Sequence, residues 1–421
     1  MEYISKLKGL VLVFLIISSC SKDGSVNDNE ESNQIAKGKT SLFKNVVISA
    51  NDEDKEVSEE AFSDISVTSS VPGSVDSRGR DSNTNFEPGI LTAGQWNDLE
   101  NWDFWKTLLN SEVYLEGIEK WNLKSIKRYS FQIVDANESF VANAEISLLV
   151  NQVVVWKTKT DNKGKATLWT DVAFDEVTAS VAIEDAKKNI TDVKEYEAGI
   201  NIISLDKEIV NNKIIDIYFA IDATGSMGDE IDYLKAEVSN VIERVKQRNS
   251  SLQMRFGSVF YRDEGDQYVT RDLSFTSNEA DLVSFIKDQS ANGGGNYPEA
   301  VHSALDVAIA QNTWNDKAST KLLFLLLDAP PHYTQEVMSS LEENLILAAE
   351  NGIKIIPISA SGIDKATEYL MRYFAIFTNG TYVFITDDSG VGNPHITPTV
   401  GKYEVQKLNE LLIDLVDQYI P

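Results

Sequence analysis

The chain has 421 residues, with 65 acidic against 38 basic side chains, for a formal charge of −27 and an isoelectric point near 4.5. That excess of negative charge excludes nucleic acid as a partner, because phosphates would be repelled. Hydrophobic residues make up 42% of the chain, enough for at least one sizeable core within two or three domains. Cys20 is the single cysteine, so intrachain disulfides are excluded and the fold must stand on packing.

Residues 1–19 read as a secretory signal peptide. Lys6 and Lys8 precede an apolar stretch at 10–17, and Ser18 and Ser19 follow. The stretch is too short to cross a bilayer comfortably. Ile17-Ser18-Ser19-Cys20 resembles the lipobox of bacterial lipoproteins. That resemblance implies lipidation of Cys20 and a membrane anchor, each buried methylene contributing about 0.8 kcal/mol. Ser21 is similar to the residue that sorts Gram-negative lipoproteins to the outer membrane, and Lys22-Asp23 resembles signals that place some of them on the cell surface. Residues 20–89 are rich in Ser, Asn, Asp, Glu and Gly, and read as a flexible acidic tether. Within it, residues 42–48 (LFKNVVI) have the pattern of a lone strand.

Residues 90–126 hold Trp96, Trp102, Phe104, Trp105 and Trp121, and read as a Trp-rich helical collar packed on the next domain. The other reading is a stacking platform for sugar rings; exposure decides between them. From 127 to 206 apolar residues alternate: Tyr129, Phe131, Ile133, then Ala144, Ile146, Leu148, then Val153, Val155, then Ala166, Leu168. Turn residues at 135–138 and 161–164 separate the runs, which predicts a small all-β sandwich. The stretch 160–168 (TDNKGKATL) resembles the turn of carboxypeptidase-regulatory-like and bacterial immunoglobulin-like modules, which implies a spacer.

Residues 212–421 alternate between strands and helices. A buried strand at 214–221 is followed by a helix whose Ile231, Leu234, Val238, Val241, Ile242 and Val245 repeat along one face. Then come a strand at 254–261, an edge strand at 268–275, a helix near 281–288 and another beginning at Pro298. The wholly apolar run 322–327 reads as a central parallel strand. Helix 339–351, strand 353–359, helix 364–378, strand 381–386 and helix 402–419 complete the order. This predicts an α/β fold, a doubly wound and mostly parallel sheet with its site at the carboxyl ends of the strands.

Asp222-Ala223-Thr224-Gly225-Ser226 ends the first of these strands. One carboxylate and two hydroxyls at alternate positions of the turn converge above the strand. Hard oxygen donors of that kind suit Mg²⁺, Mn²⁺ or Ca²⁺. The pattern resembles the metal-ion-dependent adhesion site of the von Willebrand factor type A domain. The resemblance implies two further loops. The third-loop aspartate matches Asp328. Where the family places a threonine in the second loop, Gly293-Gly294-Gly295-Asn296-Tyr297-Pro298-Glu299 offers Asn296, with Glu299 as the fallback. In the family an acidic side chain of a bound protein completes the coordination of the ion, Mg²⁺ above all. Arg262, Asp263, Tyr297, His332, Asp387 and Asp388 are the expected ligand-binding rim.

Look-alike motifs fail on spacing. An aspartic protease needs Asp-Thr-Gly, and Ala223 intervenes; Ser226 lacks the Gly-x-Ser-x-Gly frame; no Gly-Lys-Ser/Thr triplet makes a phosphate loop. His302, His332 and His395 are the whole histidine supply, and no Ser-His-Asp or Cys-His pairing follows from them. The expectation is an envelope lipoprotein that captures a protein or peptide through a divalent ion, without catalysis. The alternatives are a metal-assisted hydrolase with Glu264 or Glu299 as base, and a structural scaffold with an inactive metal site.

Overall fold

The computed structural model describes residues 42, 87–123, 126–170 and 176–420. The signal peptide, Cys20 and the tether lie outside the described residues, as do residues 43–48 of the expected lone strand. Leu42 is described: it is buried, and its N–H donates to Glu342 Oε1 at 2.5 Å.

The described chain opens with β1 (Thr92–Trp96), α1 (Trp102–Leu108) and α2 (Leu115–Trp121). Seven short strands follow: β2 (Lys127–Val134), β3 (Glu145–Val150), β4 (Val153–Lys159), β5 (Lys165–Thr170), β6 (Val177–Ile183), β7 (Ala186–Ile190) and β8 (Asn201–Ser204). They form two sheets, in the orders β5-β2-β8 and β4-β3-β6-β7. Phe131, Ile133, Ile146, Leu148, Leu168 and Val181 are buried between them, as period-two alternation requires.

The remainder is built on β9 (Ile214–Asp222), α3 (Ile231–Arg248), β10 (Gln253–Tyr261), β11 (Thr270–Thr276) and α4 (Glu279–Lys287). Next come α5 (Val301–Leu305), which runs into a wide π-type turn, β12 (Thr320–Leu327), α6 (Gln335–Asn351), β13 (Ile353–Ser359) and α7 (Lys365–Thr378). β14 (Tyr382–Thr386), β15 (Gln406–Lys407) and α8 (Leu408–Tyr419) close it. Eight strands lie in the order β11-β10-β9-β12-β13-β14-β1-β15. The five strands from β10 to β14 in that order run parallel, β11 and β1 flank them antiparallel, and β15 pairs antiparallel with β1 at the edge. Every residue of β12 and β13 is buried, because helices cover both faces.

Two strands depart from the sequence reading: β15 occupies part of the expected closing helix 402–419, and β1 is the larger departure. Residues 90–126 were expected to be helical, yet β1 adds to the main sheet alongside β14. Its sequence, TAGQW, carries little strand pattern. Its place depends on Gly94, where a side chain would collide with the Phe384 and Tyr403 rings. The sandwich is therefore inserted in the chain between β1, the strand next to the β15 edge, and the other seven strands of the main sheet.

The rest of the collar is core. Trp102, Trp105 and Trp121 are buried; Trp105 stacks on Tyr369 with ring centroids 5.8 Å apart, and Trp121 Nε1 donates to the Ala366 carbonyl at 2.8 Å. Arg372, fully buried on α7, donates to Asp98 at 2.8 Å and to the Tyr114 hydroxyl at 2.6 Å. The sandwich docks on the same helix: the Trp156 and Trp169 rings lie 6.1 and 5.8 Å from Phe377. Asn143 of the sandwich reaches Lys321 at the amino end of β12. This docking leaves the carboxyl ends of the parallel strands to the loops.

Candidate metal centre

Asp222 is the last residue of β9 and has no exposed surface. Its Oδ1 accepts from the Thr224 N–H at 2.8 Å and from the Thr224 hydroxyl at 2.7 Å, and that hydroxyl lies 3.0 Å from Ser226 Oγ. The three first-loop residues thus form one connected row, buried at Asp222 and Thr224 and open to solvent at Ser226. Oδ2 of Asp222 is buried and accepts no hydrogen bond of ordinary geometry, although the Tyr261 phenol is near enough to favour its charge.

Backbone pairing brings the second loop to the first. The Gly225 N–H donates to the Gly293 carbonyl at 3.0 Å, and the Asn292 N–H to the Ala223 carbonyl at 3.0 Å. Gly294 adopts φ +69° directly over Thr224 and Glu299, a conformation and a closeness that favour glycine. The loop then joins the third one: the Glu299 N–H donates to the Pro330 carbonyl at 2.9 Å, and Glu299 pairs with Pro331 in a parallel bridge. Asp328 follows β12 directly and is 4% exposed.

These contacts decide which second-loop residue faces the site. Asn296 is exposed on the loop, whereas Glu299 is 2% exposed, with Oε2 buried and accepting no hydrogen bond. Burial, then the charges of Asp222, Asp263, Asp328 and Asp266, push Glu299 up to about 10. Burial and Asp328 push Asp222 up to about 8, against the two hydrogen bonds from Thr224. Asp222 and Glu299 are therefore buried acids whose ionisation is made costlier by neighbouring carboxylates, Asp328 among them. Among the described residues, no three His, Cys, Asp or Glu side chains gather closely enough to hold an ion by themselves. An ion here would need the hydroxyls of Thr224 and Ser226 beside the carboxylates. The donor set fits a hard divalent cation: all oxygen, with buried acceptor atoms of Asp222 and Glu299 left over among the described residues.

The expected rim divides in two. Arg262 and Asp263 are buried, and the correction has a clear cause. The Arg262 guanidinium donates to the carbonyls of Ala223 at 3.1 Å and Ser290 at 2.8 Å, cross-bracing the first two loops, and lies 4.3 Å from the Tyr268 ring centroid. Asp263 Oδ1 lies 2.5 Å from His332 Nε2, and the His332 side chain is 21% exposed. Tyr297 does lie on the surface, its hydroxyl donating to the Gly362 carbonyl at 3.2 Å and accepting from the Asp364 N–H at 2.9 Å. Asp387 and Asp388 are exposed as well.

Asp387 also belongs to a clasp that sequence reasoning missed. Its Oδ1 lies 2.8 Å from His395 Nδ1, and His395 Nε2 lies 3.1 Å from Glu230 Oε1, which also accepts from the Ser361 N–H at 3.2 Å. Glu230 stands at the head of α3 and has no exposed surface. Only an unexplained acid ahead of an apolar helix face hinted at it.

Residues 216–370 match the family model described as the von Willebrand factor A domain, a span that holds all three loops. Two curated proteins are similar. The alpha-protein kinase vwkA of Dictyostelium discoideum is 25% identical over 243 residues, 56% of this chain and 38% of that protein. A putative ariadne-like RING finger protein, R811, of Acanthamoeba polyphaga mimivirus is 29% identical over 123 residues, 29% of this chain and 12% of that protein. The chain thus spans well under half the length of either. Among solved structures, the conserved hypothetical protein BatB of Bacteroides thetaiotaomicron is 12% identical, with 49% of this chain and 98% of that one covered at a TM-score of 0.34. An aerotolerance-related membrane protein of Bacteroides fragilis is 12% identical, with 48% and 99% covered at 0.31. With its alternating order, mostly parallel sheet and family match, this chain carries a von Willebrand factor A domain at residues 216–370.

Proposed function

We propose that this protein is a lipid-anchored envelope receptor whose von Willebrand factor A domain binds a protein or peptide through a divalent ion, Mg²⁺ first and Mn²⁺ or Ca²⁺ as alternatives. Asp222, Thr224, Ser226 and Asp328 would hold the ion, with Glu299 at the place expected of Asn296. The observation that supports this best is the row from Asp222 through Thr224 to Ser226, which ends in solvent and leaves a buried carboxylate oxygen unused. When bound, the ion supplies a Lewis-acidic position for a partner's oxygen, most favourably an acidic side chain. Glu299, which keeps its proton near neutral pH in the metal-free site, offers a neutral oxygen in place of the family's threonine. The residues around the ion bind and orient, and the proposed role is capture without catalysis.

Calorimetric titration with Mg²⁺ and Mn²⁺ tests the centre: native protein should bind and Asp222→Ala should not. A pull-down from envelope extract, with and without chelator, tests the partner; capture that survives chelation removes the ion from the reading. For the anchor, Cys20→Ala should move the protein from the membrane fraction to the soluble one.

A further inference from the structure

A cleft of about 520 Å³ opens far from the metal centre, where the collar, the sandwich and the end of α8 meet. Its size suits a small organic ligand. Trp96, Arg128, Tyr196 and Tyr419 are among its lining residues, with the amides of Gln95 and Gln418.

Arg128 makes this cleft more than a packing gap. Its side chain is buried, with 7% exposure, yet among the described residues no carboxylate lies within ion-pair distance of it. Nε donates to Ser130 Oγ at 3.1 Å, while Nη1 is buried with no hydrogen-bond partner of ordinary geometry among the described residues, although the Tyr196 phenol and the more distant charge of Glu197 favour the protonated form. The guanidinium lies 3.7 Å from the Tyr196 ring centroid and 5.0 Å from that of Trp102, so its position is fixed. Burial lowers its proton affinity, to about 10. A guanidinium withdrawn from water with no carboxylate in contact among the described residues is costly, and a planar fork of donors suits a carboxylate. The rings are fixed too: Trp96 Nε1 donates to Asp98 at 3.1 Å, and the Tyr419 hydroxyl lies 2.9 Å from that of Thr381. Trp96 and Tyr196 are half-buried, in contrast to the fully enclosed Trp105 and Trp121. Flat faces, uncommitted amides and one cation together match a ring that bears hydroxyls and an acid.

We propose that this cleft binds a sugar acid, with Arg128 taking the carboxylate, Trp96 and Tyr196 facing the ring, and the amides of Gln95 and Gln418 meeting the hydroxyls. This does not depend on the metal centre.

The test is calorimetric titration of the full chain with glucuronic acid, galacturonic acid, glucose, acetate and phosphate. Expected is saturable binding of at least one uronic acid, with glucose and acetate weaker by about tenfold or more. Arg128→Gln should lower uronate affinity by about tenfold at an unchanged melting temperature, and Asp222→Ala should leave it alone. Trp96→Ala, at a partly exposed position, should weaken uronate and spare acetate; it carries the test should Arg128→Gln fail to fold. No uronate binding overturns the proposal, as does glucose binding as tightly as uronate. Phosphate or acetate matching the uronic acids also overturns it, reducing the cleft to a simple anion hole.

Discussion

Asp216 and Asp222 stand on the same strand, β9, on the same face, and both are fully buried. Asp216, at the amino end, receives two guanidinium bonds from Arg255, at 2.9 and 2.6 Å, and the Asn315 N–H at 2.7 Å. Asp222, at the carboxyl end, receives Thr224, has the Tyr261 phenol beside it, and faces Asp328 instead of a cation. One residue type in one strand thus serves two ends. At the closed end a counter-charge is built in, and the carboxylate is structural. At the loop end, among the described residues, no such counter-charge pairs with Asp222, as the proposed cation site requires. Burial alone does not mark a functional aspartate; a missing partner does.

The largest expected effect breaks the structural member of the pair. Arg255→Met leaves Asp216 buried and unpaired, and should cost about 3–5 kcal/mol in denaturant unfolding. Asp222→Asn should leave the metal-free protein as stable as native or more so. Equal losses for both variants would falsify the contrast. Next in size, saturating Mg²⁺ at about a hundred times its dissociation constant should stabilise native protein by about 2.7 kcal/mol. Asp222→Ala and Asp328→Ala should abolish that gain, read as the shift in melting temperature on adding chelator.

Glu299→Gln sharpens the comparison inside the site. Removing a buried acid among acids should raise metal-free stability by about 1 kcal/mol and weaken Mn²⁺ by about tenfold. Asn296→Ala should change neither, and an Asn296 effect on Mn²⁺ as large as that of Glu299 would return the fourth donor to the loop tip.

A pH-dependent test lies at the closed end, where Lys321 is buried on β12. Its Nζ donates to the Asn351 carbonyl at 2.9 Å, and burial pushes its pKa down to about 7. Between about pH 7 and the ordinary lysine value the unfolded chain binds a proton that the native one does not. Stability should therefore rise with pH across that window and be lost as pH falls through it. Lys321→Met should flatten this slope in pH-dependent melting; a slope identical to native assigns it to another group.

The order of strands and helices was legible because period two and period 3.6 are written locally. The run at 214–221, the helix face from Ile231 to Val245 and the all-apolar β12 show this. The first loop was equally legible, since its donors lie within five consecutive residues. Asn296 and Glu299 were harder to rank, because a register of three residues in a glycine loop is set by contacts with Pro330 and Pro331, thirty residues onward. Arg262 looked like a rim residue for the same reason: nothing in the sequence tells that its guanidinium turns inward to two carbonyls.

Local pattern, then, was sufficient for the α/β class, the doubly wound order and the closeness of Asp222, Thr224 and Ser226, because each depends on neighbours along the chain. Only the folded molecule recruited β1 into the main sheet, buried Trp102, Trp105 and Trp121, chose Glu299 over Asn296 to face the acids and left Arg128, among the described residues, with no carboxylate in contact. Those outcomes depend on which distant surfaces exclude water from a group, and desolvation is a property of three-dimensional packing.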